Sequence, residues 1–89
     1  VESQGDRAIY EQDTAWLRAC DLVIAECTQP SLGVGYELAY AERYAKPVHI
    51  FYRKDGNLSA MLTGDKYFQL HPYEREDELL VEVKKVLGN

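Results

Sequence analysis

Asp21-Leu-Val-Ile-Ala-Glu-Cys-Thr-Gln-Pro-Ser-Leu-Gly-Val-Gly-Tyr-Glu37 is the stretch from which the architecture of this chain can be read. Leu22 to Ala25 is apolar without alternation, as expected of a strand covered on both faces. Pro30, Gly33 and Gly35 follow within a dozen residues, and an amphipathic segment begins beside them. The pattern is a turn from a buried strand into a helix. In open α/β sheets ligands bind at such turns, just outside the carboxyl ends of the strands. Glycines let a backbone approach a ligand closely, and the free N–H groups of a helix start favour an anion. Glu37 falls about one turn inside the helix, close to whatever the turn holds.

Outward from this point the periodicity predicts further elements. Residues 7–20 carry Ile9, Trp16, Leu17 and Cys20 at helical spacing. The second helix runs from Gly33 to Ala45 with Val34, Leu38, Ala41 and Ala45 on one side, and Lys46-Pro47 stops it. Pro47 to Tyr52 is a second buried strand, and Lys54-Asp-Gly-Asn57 a turn. Leu58 to Thr63 fits a short helix ending at Gly64. Tyr67 to Leu70 is a shorter third strand, and Glu74 to Leu87 a final helix using Leu79, Leu80, Val83, Val86 and Leu87 before Gly88. Helices alternating with strands imply an α/β fold with parallel strands and right-handed crossovers. Three strands are few, since doubly wound sheets usually have about five or six. The chain also opens on a helix with no strand before it. Residues 1–89 are therefore expected to be a single domain's carboxyl-terminal part, its amino-terminal strands missing.

The 89 residues suffice for one small domain. An apolar fraction of 46% and a charged fraction of 28% are those of a globular protein. A net charge of −5 argues against nonspecific nucleic-acid binding, which needs clustered Lys and Arg. No run approaches the roughly 18 apolar residues of a membrane span, and Val1 to Asp6 show no signal-peptide pattern. Cys20 and Cys27 have no His or further Cys at a metal-site spacing. A reduced, cytoplasmic protein without a disulfide is expected.

Two acids occupy apolar-face positions. Asp13 falls in the stripe Ile9, Asp13, Trp16, Leu17, Cys20, and Glu37 in the stripe Val34, Glu37, Leu38, Ala41, Ala45. A half-buried carboxylate is costly unless it is paired or hydrogen-bonded. Each acid alone could cap a neighbouring helix or accept from backbone N–H groups. Two on helices flanking one strand, one of them beside an anion cradle, favour catalysis, because paired carboxylates can cleave a glycosidic bond. Ser31 can bind a phosphate or cap the helix that follows, and Ser59 starts a short helix, where capping is the commoner role. Glu26 reads as a loop anchor, His49 as a core histidine, and His71 as lacking a partner. Seven tyrosines suit a base-stacking wall, yet Tyr36, Tyr40 and Tyr44 recur at helical spacing opposite Glu37, as in packing or a subunit interface.

Tyr10-Glu-Gln-Asp13, the stretch Asp21 to Leu38 and Leu58-Ser-Ala-Met61 together resemble the 2'-deoxynucleoside 5'-monophosphate N-glycosidases of the nucleoside 2-deoxyribosyltransferase superfamily. The likeness runs from about residue 7 to the end of the chain, and the block from Gln29 to Glu37 is its most specific part. It implies a Rossmann-like, flavodoxin-type fold and a homodimer with active sites near the interface. It implies that Glu37 is the nucleophile attacking the sugar C1', and that Asp13 contacts the sugar hydroxyls and aids proton transfer. By the same likeness Ser31 and the backbone near Gly33 form the 5'-phosphate cradle, and Ser59 reaches the phosphate of the neighbouring subunit. Neither metal nor cofactor is implied. The family's opening strand, with its Tyr- or Phe-x-Gly-Ser-x-Arg-Gly-like loop, has no counterpart here. The expected activity is hydrolysis of deoxynucleoside 5'-monophosphates to free base and 2-deoxyribose 5-phosphate. A deoxyribosyltransferase and a non-catalytic nucleotide-binding fragment are the alternatives.

Overall fold

The central strand of the molecule, Val48–Arg53, is bonded on both sides, and the rest of the fold is arranged around it. The computed structural model describes residues 3–88; Val1 and Glu2, part of the opening stretch read for a leader, and Asn89 lie outside the described residues. The elements are α1 (Ser3–Ala19), β1 (Val23–Glu26), α2 (Leu32–Arg43), β2 (Val48–Arg53), α3 (Ala60–Thr63), β3 (Gln69–Tyr73) and α4 (Glu76–Val86). The sheet has order β1-β2-β3 and every pairing is parallel, with Val23 opposite Val48 and Phe51 opposite His71. This is the α/β architecture that the alternating pattern predicts.

Alternation along β2 builds two buried layers. Val48 and Ile50 join Leu38 and Ala41 of α2, Cys27 and Phe68 in the main cluster. Phe51 points to the other side and is equally enclosed. Among the described residues β1 pairs with β2 alone and is half-buried from Val23 to Ala25.

Three boundaries differ from the sequence reading. α2 ends at Arg43, and Ala45 takes a left-handed backbone with φ 58°. The Ala45 and Lys46 N–H groups then bond the Glu42 and Ala41 carbonyls, closing the helix before Pro47, which cannot continue it. The third strand is Gln69–Tyr73, displaced towards the carboxyl end from Tyr67–Leu70. It contains Pro72, which an edge strand accommodates because a proline lacks only the donor that the free side would leave unused. α4 begins at Glu76, because the Glu78 carboxylate turns back to accept from the Glu74 and Arg75 N–H groups at 2.9 and 2.8 Å.

The stripe on α1 also faces differently. Ile9 and Trp16 are 61% and 63% exposed, while Thr14 is buried and Asp13 and Leu17 half-buried. The inward side of α1 is therefore rotated towards Asp13, Thr14 and Leu17. On α4, Leu79, Val83 and Val86 turn inward, and Leu80 and Leu87 do not. Among the described residues no helix is long and apolar enough to cross a membrane.

Candidate active site

The turn after β1 is fixed by its own side chains. The Glu26 carboxylate accepts from the Thr28 N–H at 3.1 Å, from the Thr28 hydroxyl, and from the Tyr73 hydroxyl at 2.5 Å. Thr28 Oγ1 in turn accepts from the Arg53 N–H at 3.0 Å. One carboxylate thus ties the carboxyl ends of all three strands together, a loop-anchor role. Burial raises the Glu26 pKa, but the Thr28 and Tyr73 hydrogen bonds outweigh it and hold the acid below its ordinary value. Cys27, next in the chain, has its thiol pKa raised by burial and then by the Glu26 charge, so it stays protonated and is a poor nucleophile.

Ser31 and Ser59 are both helix caps. Ser31 Oγ accepts from the Val34 N–H at the start of α2, and Ser59 Oγ from the Met61 N–H at the start of α3, each at 3.2 Å. Both line one cavity of about 870 Å³ between α2 and the α3 region, with Leu32, Val34, Met61, Leu62 and Phe68 as apolar walls. Glu42 and Asp65 meet at the same cavity, and the Glu42 pKa is raised by its hydrogen bond to Asp65, by burial and by the Asp65 charge. Gly33 lies outside the lining. A Cβ added there would meet only Ser31 Oγ at 4.0 Å, and one at Gly35 would meet nothing. Neither glycine is required by the turn itself, so open space beside the helix start is what they provide.

Asp13 and Glu37 come together on the other side of α2. Asp13 neighbours Glu37, and burial first, then the Asp13 carboxyl and its charge, raise the Glu37 pKa. Neither lines the cavity that holds Ser31 and Ser59. The chain therefore joins the two acids to each other and the two serines to each other, on separate faces. Because the folded Glu37 binds its proton more tightly, its contribution to stability is fully present below the unfolded pKa. It is lost as pH rises through the raised folded value. Asp13→Asn should accordingly stabilise the protein at pH 7 and give no such gain near pH 4. Urea denaturation at the two pH values measures the difference, and an equal effect at both would reject the charge-repulsion account.

Sequence reasoning missed two features. Tyr40 lies beside Glu37 and not opposite it; its hydroxyl accepts from Arg18 Nη1 at 2.5 Å, linking α2 to α1. His71 does have a partner: its Nε2 lies 3.0 Å from His49 Nδ1, and its ring stacks on Phe51 at 4.5 Å. Burial and the neighbouring His71 hold the His49 pKa below its ordinary value. Both contacts join residues 22 apart in the chain and follow from strand register and helix seating, which a local pattern does not carry. Among the described residues no three His, Cys, Asp or Glu side chains are grouped to hold a metal ion, and both cysteines are free thiols.

The turn and the acid pair can be compared with known proteins. The 5-hydroxymethyl-dUMP N-hydrolase of Mus musculus is 47% identical over 78 residues, covering 82% of this chain and 45% of its own. The enzyme of that name from Homo sapiens is 46% identical over 84 residues, 88% of this chain and 48% of its own. The chain thus spans about half the length of the curated relatives it matches. The solved structure of the CMP N-glycosidase of Clostridium botulinum superposes with a TM-score of 0.78 at 20% identity, over 90% of this chain and 74% of that one, and so shares the fold. The family model described as nucleoside 2-deoxyribosyltransferase matches residues 1–86. This chain belongs to the nucleoside 2-deoxyribosyltransferase family.

Proposed function

We propose that the protein carrying this chain hydrolyses the N-glycosidic bond of 2'-deoxynucleoside 5'-monophosphates, releasing free base and 2-deoxyribose 5-phosphate. The observation that carries this reading is that Asp13 of α1 and Glu37 of α2 are neighbouring acids beside the turn after β1. A retaining pair that flanks the scissile bond stands about 5 Å apart. Because Asp13 and Glu37 are neighbours, we assign both to one face of the sugar instead. Glu37 is then the nucleophile, its carboxylate bonding C1' as the bond to the base breaks through an oxocarbenium-like transition state. Asp13 works beside it, holding a sugar hydroxyl, giving a proton to the departing base and taking one back from the water that follows. Water then adds at C1' and frees Glu37.

The phosphate is assigned to the start of α2, where Ser31, the open space at Gly33 and the helix N–H groups favour an anion. Ser59, which caps α3 rather than α2, we assign to the phosphate of a neighbouring copy in a homodimer, as the family resemblance implies. The exposure of Leu32 (96%) and Met61 (80%) supports a partner surface there. Two free cysteines suit a reducing, cytoplasmic setting. The names of the mouse and human relatives favour the hydrolase over the transferase as the reaction of this chain.

The test is to compare deoxyguanosine monophosphate with deoxyguanosine, with and without adenine as acceptor, following free base by chromatography. Charge-assisted hydrogen bonds to the phosphate are worth about 1.5–3 kcal/mol each, so kcat/KM should be on the order of 100-fold higher for the monophosphate. Equal rates on both would reject the phosphate cradle, and formation of deoxyadenosine would favour the transferase.

A further inference from the structure

Helix α1 carries Asp13, yet it is weakly held by apolar contact. Its principal neighbour is α2, and its large side chains Ile9 and Trp16 point to solvent. The buried Thr14 hydroxyl is spent within its own helix, donating to the Tyr10 carbonyl at 2.8 Å. Half-buried Leu17 is the α1 side chain that reaches the main cluster. Among the described residues, polar and ring contacts to α2 add to that apolar anchor.

Three contacts follow one another along the two helices. Tyr10 meets Tyr36 edge to face at 6.2 Å between ring centres, Asp13 meets Glu37, and Arg18 donates to Tyr40 at 2.5 Å. The acid pair is bracketed by a link on each side. The Tyr10–Tyr36 link is exposed at both rings. Tyr40 is buried, and its ring lies between those of Tyr36 at 6.5 Å and Tyr44 at 4.8 Å, so it is a fixed post. The middle contact is the one that needs holding, because two carboxylates brought together repel and push their helices apart.

We propose that Arg18 and Tyr40 are positioning residues whose hydrogen bond sets how α1 seats on α2, and with it the approach of the Asp13 and Glu37 carboxyls. This rests on the reading of those acids as the working pair. Asp13 is the charged group acting on Glu37 from α1, and Tyr36 and Tyr40 stand one residue before and three after Glu37 on α2. The Arg18 charge acts on Tyr40, Tyr44 and Tyr10. A direct electrostatic role and a positioning role then have opposite signs. Removing a nearby cation would raise the Glu37 midpoint, whereas letting Asp13 drift away would lower it.

The experiment is a carbon-13 NMR titration of the Glu37 side-chain carboxyl in the unaltered protein and in Tyr40→Phe, Arg18→Gln and, as reference, Asp13→Asn. It needs no catalytic turnover, so a failure of the N-glycosidase reading would show separately as absent base release. Tyr40→Phe and Arg18→Gln should each lower the Glu37 midpoint by roughly half a pH unit or more, towards the Asp13→Asn value, and Arg18→Lys should restore it. Arg18→Gln alters an exposed side chain and keeps the test open should Tyr40→Phe not fold. A midpoint unchanged in Arg18→Gln, or raised by it, overturns the proposal.

Discussion

Glu37→Ala is expected to lower base release by a factor of about 10⁴ or more while leaving nucleotide affinity within roughly tenfold. A nucleophile forms its bond in the transition state, so its loss removes the covalent route and little of the ground-state binding. On the proposed assignment the variant keeps Ser31, Asp13 and the start of α2, which would still hold the phosphate and sugar. Loss of fold is separable here. Removing Glu37 also removes a like-charge neighbour of Asp13, so the variant should melt no lower than the unaltered protein at pH 7. Base release by chromatography, affinity by calorimetry and a thermal melt together decide it. Turnover that survived Glu37→Ala would take Glu37 out of the mechanism.

What the sequence disclosed, and what it did not, divides along a physical line. The turn from Leu22 to Glu37 was legible because each local choice agrees: an apolar run, a proline, a capping serine and glycines before an amphipathic helix. The misplaced acids Asp13 and Glu37 were legible for a similar reason, since a carboxylate inside an apolar stripe contradicts its surroundings, and the folded chain does make them neighbours. The facing of α1 was not. A stripe containing Ile9 and Trp16 scores as an inward face by period, yet Thr14, which contributes little to that score, is the residue that is buried. The third strand was misplaced because Pro72 weighs against a strand unless the strand is known to be an edge, and edge position is a property of the sheet. Ser31 and Ser59 show a third kind of limit. Both cap a helix in the folded chain, and because capping and anion binding draw on the same helix start, a local pattern does not separate the two.

Phe51→Ala is expected to cost about 3–5 kcal/mol, the range for deleting a buried aromatic ring from a packed interior. Phe51 is 1% exposed on the strand that both neighbours bond, and the His71 ring lies against it at 4.5 Å. A ring there fills the side of the sheet turned away from the main cluster, and it supports the His49–His71 contact between β2 and β3. At about 0.05–0.15 kcal/mol per residue, an 89-residue chain has roughly 4–13 kcal/mol in total. The substitution therefore removes a large share of the margin, and at the lower end of that range it unfolds the protein at room temperature. Trp16→Ala is the matched control: it deletes a larger side chain, but a mostly exposed one, and should cost within about 1 kcal/mol. Urea denaturation of both variants at pH 7 makes the comparison. Equal losses from the two would mean that Phe51 is not a member of the packed interior, or that Trp16 is covered in solution by a second copy, and dilution of the Trp16→Ala protein would tell these apart.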